Sequence, residues 1–158
     1  MNIYVDMDDV LADFKQYSTK ILGKQFNEVR YENLTWAKLK ENPRLYRDLE
    51  VKDGAYKLME FLSSYKNSYS IYLLTAVPRN NDMQWAFYDK VNWAQKYFPD
   101  YPVFFGPFST DKWRHLRTSN DVLIDDRESN YNDWKNAGGK AYLYKNVDEC
   151  ILWAKDNL

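Results

Sequence analysis

Residues 2–14 read NIYVDMDDVLADF, and this stretch places four aspartates within eight positions, directly after an apolar run. The run at 3–5 does not alternate with polar residues, so it predicts a strand that is covered on both faces. Carboxylates crowded at the end of such a strand repel one another, which is costly unless a cation binds among them. The stretch therefore predicts a strand of an α/β sheet with an acidic site at its carboxyl end.

The composition is that of a single globular domain. The chain has 158 residues, 45% of them apolar, and its 14 Tyr, 8 Phe and 6 Trp are too many to be taken up by short apolar runs, so some are expected to line a cleft. A formal net charge of −1 argues against strong nucleic-acid binding. The single cysteine, the lack of a signal-peptide pattern and the lack of an apolar run of roughly 20 residues favour a cytoplasmic protein without a membrane span.

Short apolar runs that alternate with helical patterns predict an open, mostly parallel sheet flanked by helices. Strands are expected at residues 3–6, 70–75, 102–105, 122–125 and 141–144. Helices are expected at residues 53–65, 81–98, 129–137 and 147–157. Residues 14–53 break this rhythm and are rich in aromatic and basic side chains. A small helical insertion over the strand ends and a pair of ordinary core helices fit that pattern equally well.

Polar residues stand at the ends of three predicted strands, where ligands of parallel sheets bind. They are Asp6 and Asp8, then Thr75, then Asp125 and Asp126. If the chain stays extended after the first strand, Asp6 and Asp8 share one side and Asp9 points elsewhere. Mg²⁺ prefers oxygen ligands and would relieve the repulsion among the carboxylates. Such a site is suited to a phosphate group, with a threonine hydroxyl and a lysine as further partners and an aspartate as nucleophile.

The order of these residues resembles the haloacid dehalogenase (HAD) superfamily and, within it, the 5'(3')-deoxyribonucleotidases. The segments that carry the resemblance are VDMDDVLADF at 5–14, KVNWAQKYF at 90–98 and DVLIDDR at 121–127. The resemblance covers most of the chain and implies a single HAD-like domain over 1–158. Its Rossmann-like core would comprise about 1–13 and 54–158, and a small helical cap would comprise about 14–53.

The resemblance also implies a role for each candidate residue. Asp6 would attack phosphorus and form an aspartyl-phosphate, while Asp8 would protonate the leaving group and then activate water. Mg²⁺ would bind the Asp6 carboxylate, the Asp8 backbone carbonyl and one of the pair Asp125 and Asp126, of which Asp126 is preferred. Thr75 would bind the phosphate.

The remaining candidates surround this set. Lys90 matches the lysine that stabilises the phosphate charge, and Lys112, which is nearer to the last motif, is a second candidate. Phe14 matches an aromatic residue of the substrate cleft. Two positions depart from the family pattern: Asp9 stands where a glycine is usual, and Ala76 stands where a phosphate-binding serine commonly follows the threonine.

These inferences predict a magnesium-dependent phosphomonoesterase that acts on (deoxy)nucleoside monophosphates, with no membrane partner. One alternative keeps the fold and changes the substrate: a HAD phosphatase for nucleic-acid 3'-phosphates or small metabolites. A catalytically weak nucleotide-binding protein is an alternative of a different class. A signalling receiver domain fits less well, because no central-strand aspartate precedes Thr75. The sequence is compatible with a homodimer and does not specify the base, the sugar or the position of the phosphate.

Overall fold

The structure is a computed structural model that describes residues 1–23, 33–78 and 83–158. Five strands form one sheet: β1 (Asn2–Val5), β2 (Ser70–Thr75), β3 (Val103–Phe105), β4 (Val122–Asp125) and β5 (Lys140–Leu143). The sheet has the order β3-β2-β1-β4-β5, and every pair of neighbouring strands is parallel. The predicted α/β class and all five predicted strands are thus confirmed, with ends that differ by one residue at most.

The described helices flank this sheet. They are α1 (Phe14–Leu22), α2 (Asn33–Lys40), α3 (Ala55–Ser63), α4 (Trp85–Tyr97), α5 (Glu128–Asn136) and α6 (Val147–Asn157), with a 3₁₀ helix at Ser109–His115. Helix α6 has the predicted bounds. Helix α3 is shorter than predicted because Gly54, at φ 83°, turns the chain just before it. The predicted start of the helix at residue 81 lies outside the described residues, and α4 begins at Trp85.

The central strand β1 is buried on both faces, as its unbroken apolar run predicts. Ile3 and Val5 are fully buried in the main core, and Tyr4 belongs to a smaller core on the opposite face, where its ring packs edge-on against Trp134. Because β1 lies between β2 and β4, its carboxyl end meets the carboxyl ends of both neighbours. The chain passes from β1 to β2 on one side and from β4 to β5 on the other, and the point between two such strands is the usual ligand position in parallel sheets.

Segment 14–53 leaves the sheet and returns to almost the same place. The Asp13 N–H donates to the Glu50 carbonyl at 2.9 Å, and the Lys52 N–H donates to the Leu11 carbonyl at 2.8 Å. Leu39 and Leu45, between these two ends, are fully buried and join the main core. The segment therefore has the connectivity of an insertion while it also shares the core of the sheet.

No helix within the described ranges 1–23, 33–78 and 83–158 is long and apolar enough to cross a bilayer.

Candidate active site

An acidic cluster lies where β1 and β4 end. The Asp6 N–H donates to the Ile124 carbonyl at 2.9 Å, which continues the pairing of these two strands by one residue. Asp125 is the last residue of β4, and Asp126 follows it. One carboxylate oxygen from each of Asp6, Asp125 and Asp126 lies within 4.8 Å of the other two. Parallel strand ends thus bring Asp6 together with an adjacent pair of aspartates about 120 positions further along the sequence.

The chain turns sharply after Asp6, and the prediction that Asp9 points away from the site is wrong. The N–H groups of Leu11 and Ala12 both donate to the Met7 carbonyl, so residues 7–12 form a tight turn rather than an extended continuation of β1. Asp9 has a φ of 63° in this turn, and its carboxylate lines the same cavity as Asp6. Glycine adopts such a φ without strain, which agrees with the glycine that the resemblance implies at this position.

Two lysines hold different aspartates of the site. The Lys112 ammonium lies 2.6 Å from Asp6 Oδ1 and 2.7 Å from Asp125 Oδ2, and this lysine is almost fully buried. The Lys90 ammonium lies 2.5 Å from Asp8 Oδ2 and donates to Thr75 Oγ1 at 2.9 Å. Lys112 forms part of the cavity wall, whereas Lys90 and Thr75 are buried and do not. Both candidate lysines therefore reach the site, but from different sides.

Asp125 is held by donors that the sequence interpretation missed. Asn130 Nδ2 donates to both carboxylate oxygens of Asp125, at 3.0 and 2.9 Å, and the Arg127 N–H donates to Oδ1 at 2.9 Å. Ser109 in turn donates to Asn130 Oδ1 at 2.9 Å. The only sequence signal for Asn130 is its place in the first turn of α5, directly after the acidic pair. These contacts fix Asp125 in the interior and leave Asp126 on the cavity wall.

Burial sets the protonation behaviour of the cluster. Desolvation and the neighbouring charge of Asp125 raise the pKa of Asp6 well above its ordinary value, and Lys112 opposes this rise. Desolvation likewise raises the pKa of Asp126, against the opposing effect of Lys15. Burial disfavours the charge of Lys112, but Asp125 and Asp6 raise its pKa overall. The nearby lysines thus do not fully compensate the negative charge of the buried carboxylates, so the binding of an additional cation would be favourable.

A cavity of about 440 Å³ opens beside the cluster. Its charged lining comprises Asp6, Asp8, Asp9, Asp126, Lys15, Lys112 and Arg127, and its aromatic lining comprises Phe14, Trp36, Tyr46 and Phe108. The Phe14 ring stacks on Tyr46 with centroids 5.9 Å apart and on Trp36 with centroids 6.2 Å apart. Ala76 also lines the cavity. Acidic and aromatic surfaces thus meet in one space of the size of a small-molecule site.

The donor set fits Mg²⁺. All three clustered side chains offer carboxylate oxygens, which are the ligands that Mg²⁺ selects over softer donors. Asp8 Oδ1 is buried and has no hydrogen-bond partner within the described part of the chain, so the site holds unused acceptor capacity. The candidates to hold the ion are Asp6, Asp125 and Asp126, and Asp125 already receives several donors from the protein.

Comparison with solved structures shows that this parallel sheet has the fold of HAD hydrolases. YfnB of Bacillus subtilis, provisionally assigned as a HAD-hydrolase and solved with bound magnesium, superposes with a TM-score of 0.61 at 13% identity, covering 99% of this chain and 98% of that one. The HAD family enzyme BT-2542 of Bacteroides thetaiotaomicron, solved with magnesium and inorganic phosphate, gives 0.53 at 15% identity, covering 91% and 93%. At these identities the similarity establishes the fold.

The sequence comparisons go further. Residues 1–148 match the family described as 5' nucleotidase, deoxy (pyrimidine), cytosolic type C protein, and this chain belongs to that family. A protein of Vibrio phage KVP40, provisionally named as a 5'(3')-deoxyribonucleotidase, is 29% identical over 132 residues, which cover 81% of this chain and 67% of the relative. The predicted resemblance is confirmed, and the protein is an enzyme of the phosphatase and nucleotidase class.

Proposed function

We propose that the chain is a magnesium-dependent phosphomonoesterase that hydrolyses (deoxy)nucleoside monophosphates through an aspartyl-phosphate at Asp6. The observation that carries the proposal is the cavity, which combines clustered aspartates with stacked aromatic rings. A phosphate and its metal ion would occupy the acidic part. A nucleobase is the group best suited to the rings, because stacking on an aromatic side chain contributes roughly 1–3 kcal/mol per base.

In the first step, Asp6 attacks phosphorus while the bond from phosphorus to the nucleoside oxygen breaks. The Met7 N–H and the Lys112 ammonium both contact Asp6 Oδ1, which leaves Oδ2 as the attacking oxygen. Asp8 would give a proton to the departing oxygen. A water molecule then attacks phosphorus and gives a proton to Asp8, which releases phosphate and restores the Asp6 carboxylate.

The two lysines contact different aspartates, and we assign them different roles. Lys112 contacts Asp6 and lines the cavity, so it is the cation nearer to the attacked phosphorus, although the sequence alone favoured Lys90 for that role. Lys90 holds Asp8 and donates to the Thr75 hydroxyl, so it orients the proton donor. Mg²⁺ held by Asp6, Asp126 and the Asp8 carbonyl would neutralise charge on the phosphoryl oxygens.

Phosphate release from a panel of nucleoside monophosphates and sugar phosphates, with Mg²⁺ and with EDTA, tests the proposal. We expect turnover of nucleotides only with Mg²⁺, and loss of turnover in Asp6→Asn. Equal rates on sugar phosphates would refute the nucleotide specificity. A failure of beryllofluoride to bind at Asp6 in the presence of Mg²⁺ would refute the aspartyl-phosphate and would favour a nucleotide-binding protein of weak activity.

We also propose that residues 14–53 act as a cap over a core formed by 1–13 and 54–158. The neighbouring ends of the segment and the contribution of Phe14, Trp36 and Tyr46 to the cavity support this division. The single cysteine, Cys150, is buried and unpaired, which supports a site of action in a reducing compartment such as the cytoplasm.

A further inference from the structure

Lys15 joins the first helix of segment 14–53 to the acidic cluster. Its ammonium lies 3.0 Å from Asp126 Oδ2 and 3.6 Å from Asp9 Oδ2, and its side chain is 43% exposed. The residue therefore stands at the mouth of the cavity, where a long side chain can change its partner at little cost. In the sequence it is one of several basic residues in segment 14–53.

The backbone conformation of Asp9 is unusual, and its carboxylate contacts Lys15. Asp9 is the only non-glycine residue with a positive φ in the part of the chain that the structure describes. A left-handed conformation costs a residue with a side chain about 1 kcal/mol, so its presence at a site points to a use for that side chain. Asp9 Oδ1 accepts a hydrogen bond from the Lys15 N–H at 2.8 Å, while Oδ2 faces the Lys15 ammonium. The Asp9 carboxylate thus contacts both the backbone N–H and the side-chain ammonium of Lys15.

The ion pairs of the cluster are unequally distributed. Lys112 bridges Asp6 and Asp125, the two buried carboxylates, from the interior. Among the described residues, the ion pair of Asp126 is with Lys15 alone. Of the three carboxylates suited to a metal ion, Asp126 is thus the one whose charge is neutralised by a movable, half-exposed lysine. A divalent cation that binds Asp126 would meet the positive charge of that lysine.

We propose that Lys15, anchored by Asp9, is a built-in counter-cation for Asp126 that stabilises the metal-free site and weakens the binding of Mg²⁺. The inference rests on the metal site of the proposed function. When Mg²⁺ binds, the Lys15 ammonium separates from Asp126 and keeps its contact with Asp9. The affinity for Mg²⁺ is therefore set partly by a residue that does not ligate the ion.

Isothermal titration of EDTA-treated, dialysed protein with MgCl₂ alone tests this inference without any nucleotide. Lys15→Met keeps the length of the side chain and removes its charge, so we expect Mg²⁺ to bind about tenfold more tightly, as a unit charge removed a few ångströms from a divalent ion in a half-exposed site implies. Lys15→Arg keeps the charge and should bind Mg²⁺ within about twofold of wild type. Lys20→Met is the matched control, because Lys20 lies on the same helix and pairs with the exposed Glu50 at 3.7 Å.

The rise in Tm that Mg²⁺ causes is a readout that a purely structural role of Lys15 would not change. We expect metal-free Lys15→Met to have a lower Tm than metal-free wild type, and saturating Mg²⁺ to raise its Tm by more than it raises that of wild type. If Lys15 only supports packing, its replacement would lower the Tm of the metal-free and of the Mg²⁺-saturated protein equally. Equal lowering of these two Tm values, or a Mg²⁺ affinity that is unchanged or weaker, overturns the proposal. If wild type itself binds no Mg²⁺, this inference fails together with the proposed metal site. If all variants bind Mg²⁺ as expected but hydrolyse no nucleotide, the proposed substrate fails while this inference stands.

Discussion

The substitution Gly106→Ala tests whether the position of Lys112 determines the reaction rate. Gly106 follows β3, and its N–H donates to the Thr75 carbonyl at 3.0 Å. A Cβ at residue 106 would lie 2.8 Å from both the Cα and the backbone nitrogen of Lys112, where ordinary contacts begin at 3.4 Å. These are backbone atoms, so the clash is relieved only if the 3₁₀ helix that carries Lys112 moves away by about 0.6 Å, by subtraction of those two distances.

That movement has a calculable effect on catalysis. The Lys112 ammonium contacts Asp6 and Asp125 at 2.6 and 2.7 Å, so a shift of this size weakens both contacts. A misplacement of about 1 Å in an active site costs on the order of 100-fold in rate, so on the same logarithmic scale a shift of about 0.6 Å should lower kcat/KM about 15-fold. Overpacking of this kind should also lower the free energy of unfolding by about 1–3 kcal/mol.

The assay is nucleotide hydrolysis at saturating Mg²⁺, combined with urea unfolding of the same samples. Gly23→Ala is the matched control, because Gly23 has a φ of 67° but none of the described residues has an atom within 4 Å of an added Cβ. The control should lose about 1 kcal/mol of stability and keep the wild-type kcat/KM. If Gly106→Ala is destabilised yet keeps the wild-type kcat/KM, the location of Lys112 does not limit the rate and its proposed role is wrong.

Three further predictions concern other parts of the structure. Lys112→Ala should lower kcat/KM by at least about 100-fold and by more than Lys90→Ala, and the reverse order in the same assay would restore Lys90 as the phosphate contact. Trp36→Ala should raise KM for nucleotides about tenfold while KM for a small phosphate ester stays constant, and equal changes for both would argue against base stacking. Burial disfavours the charge of Asp121, but N–H donors from Arg117, Asn2 and Thr118 hold its pKa below the ordinary value. Asp121→Asn should therefore lose about 2 kcal/mol at pH 7, and the difference from wild type in urea unfolding should shrink as pH falls below about 4; a difference that is constant with pH would contradict the assignment.

The sequence predicts those parts of the site that strand geometry determines. Asp6 and Asp125 lie together because each stands at the end of a parallel strand, and the apolar runs before them are long enough to be recognised. Thr75 ends the neighbouring strand as predicted, but it is buried outside the cavity lining and accepts a hydrogen bond from Lys90. The position of Asp9 was not predictable in the same way, since the left-handed turn depends on hydrogen bonds to the Met7 carbonyl rather than on the pattern of the strand.

Asn130 and Lys15 were missed for a related reason. An asparagine in the first turn of a helix and a lysine in an amphipathic segment are both common on protein surfaces, so neither residue type signals a site by itself. Their roles depend on tertiary distances, from α5 to the end of β4 and from α1 to the end of the same strand. Choosing between Lys90 and Lys112 likewise required the cavity, because both lysines contact aspartates of the cluster.

The closely spaced ends of segment 14–53 have a consequence for how such enzymes diversify. Hydrogen bonds at residues 11–13 and 50–52 hold both ends of the segment whatever lies between them. Loop-closure free energy grows only with the logarithm of loop length, so doubling the intervening chain costs about 0.6 kcal/mol. We therefore expect the segment to tolerate lengthening or exchange, provided that buried residues such as Leu39 and Leu45 keep filling the interior. If the segment is the cap that we propose, such a change would alter substrate selectivity and leave the clustered aspartates in place.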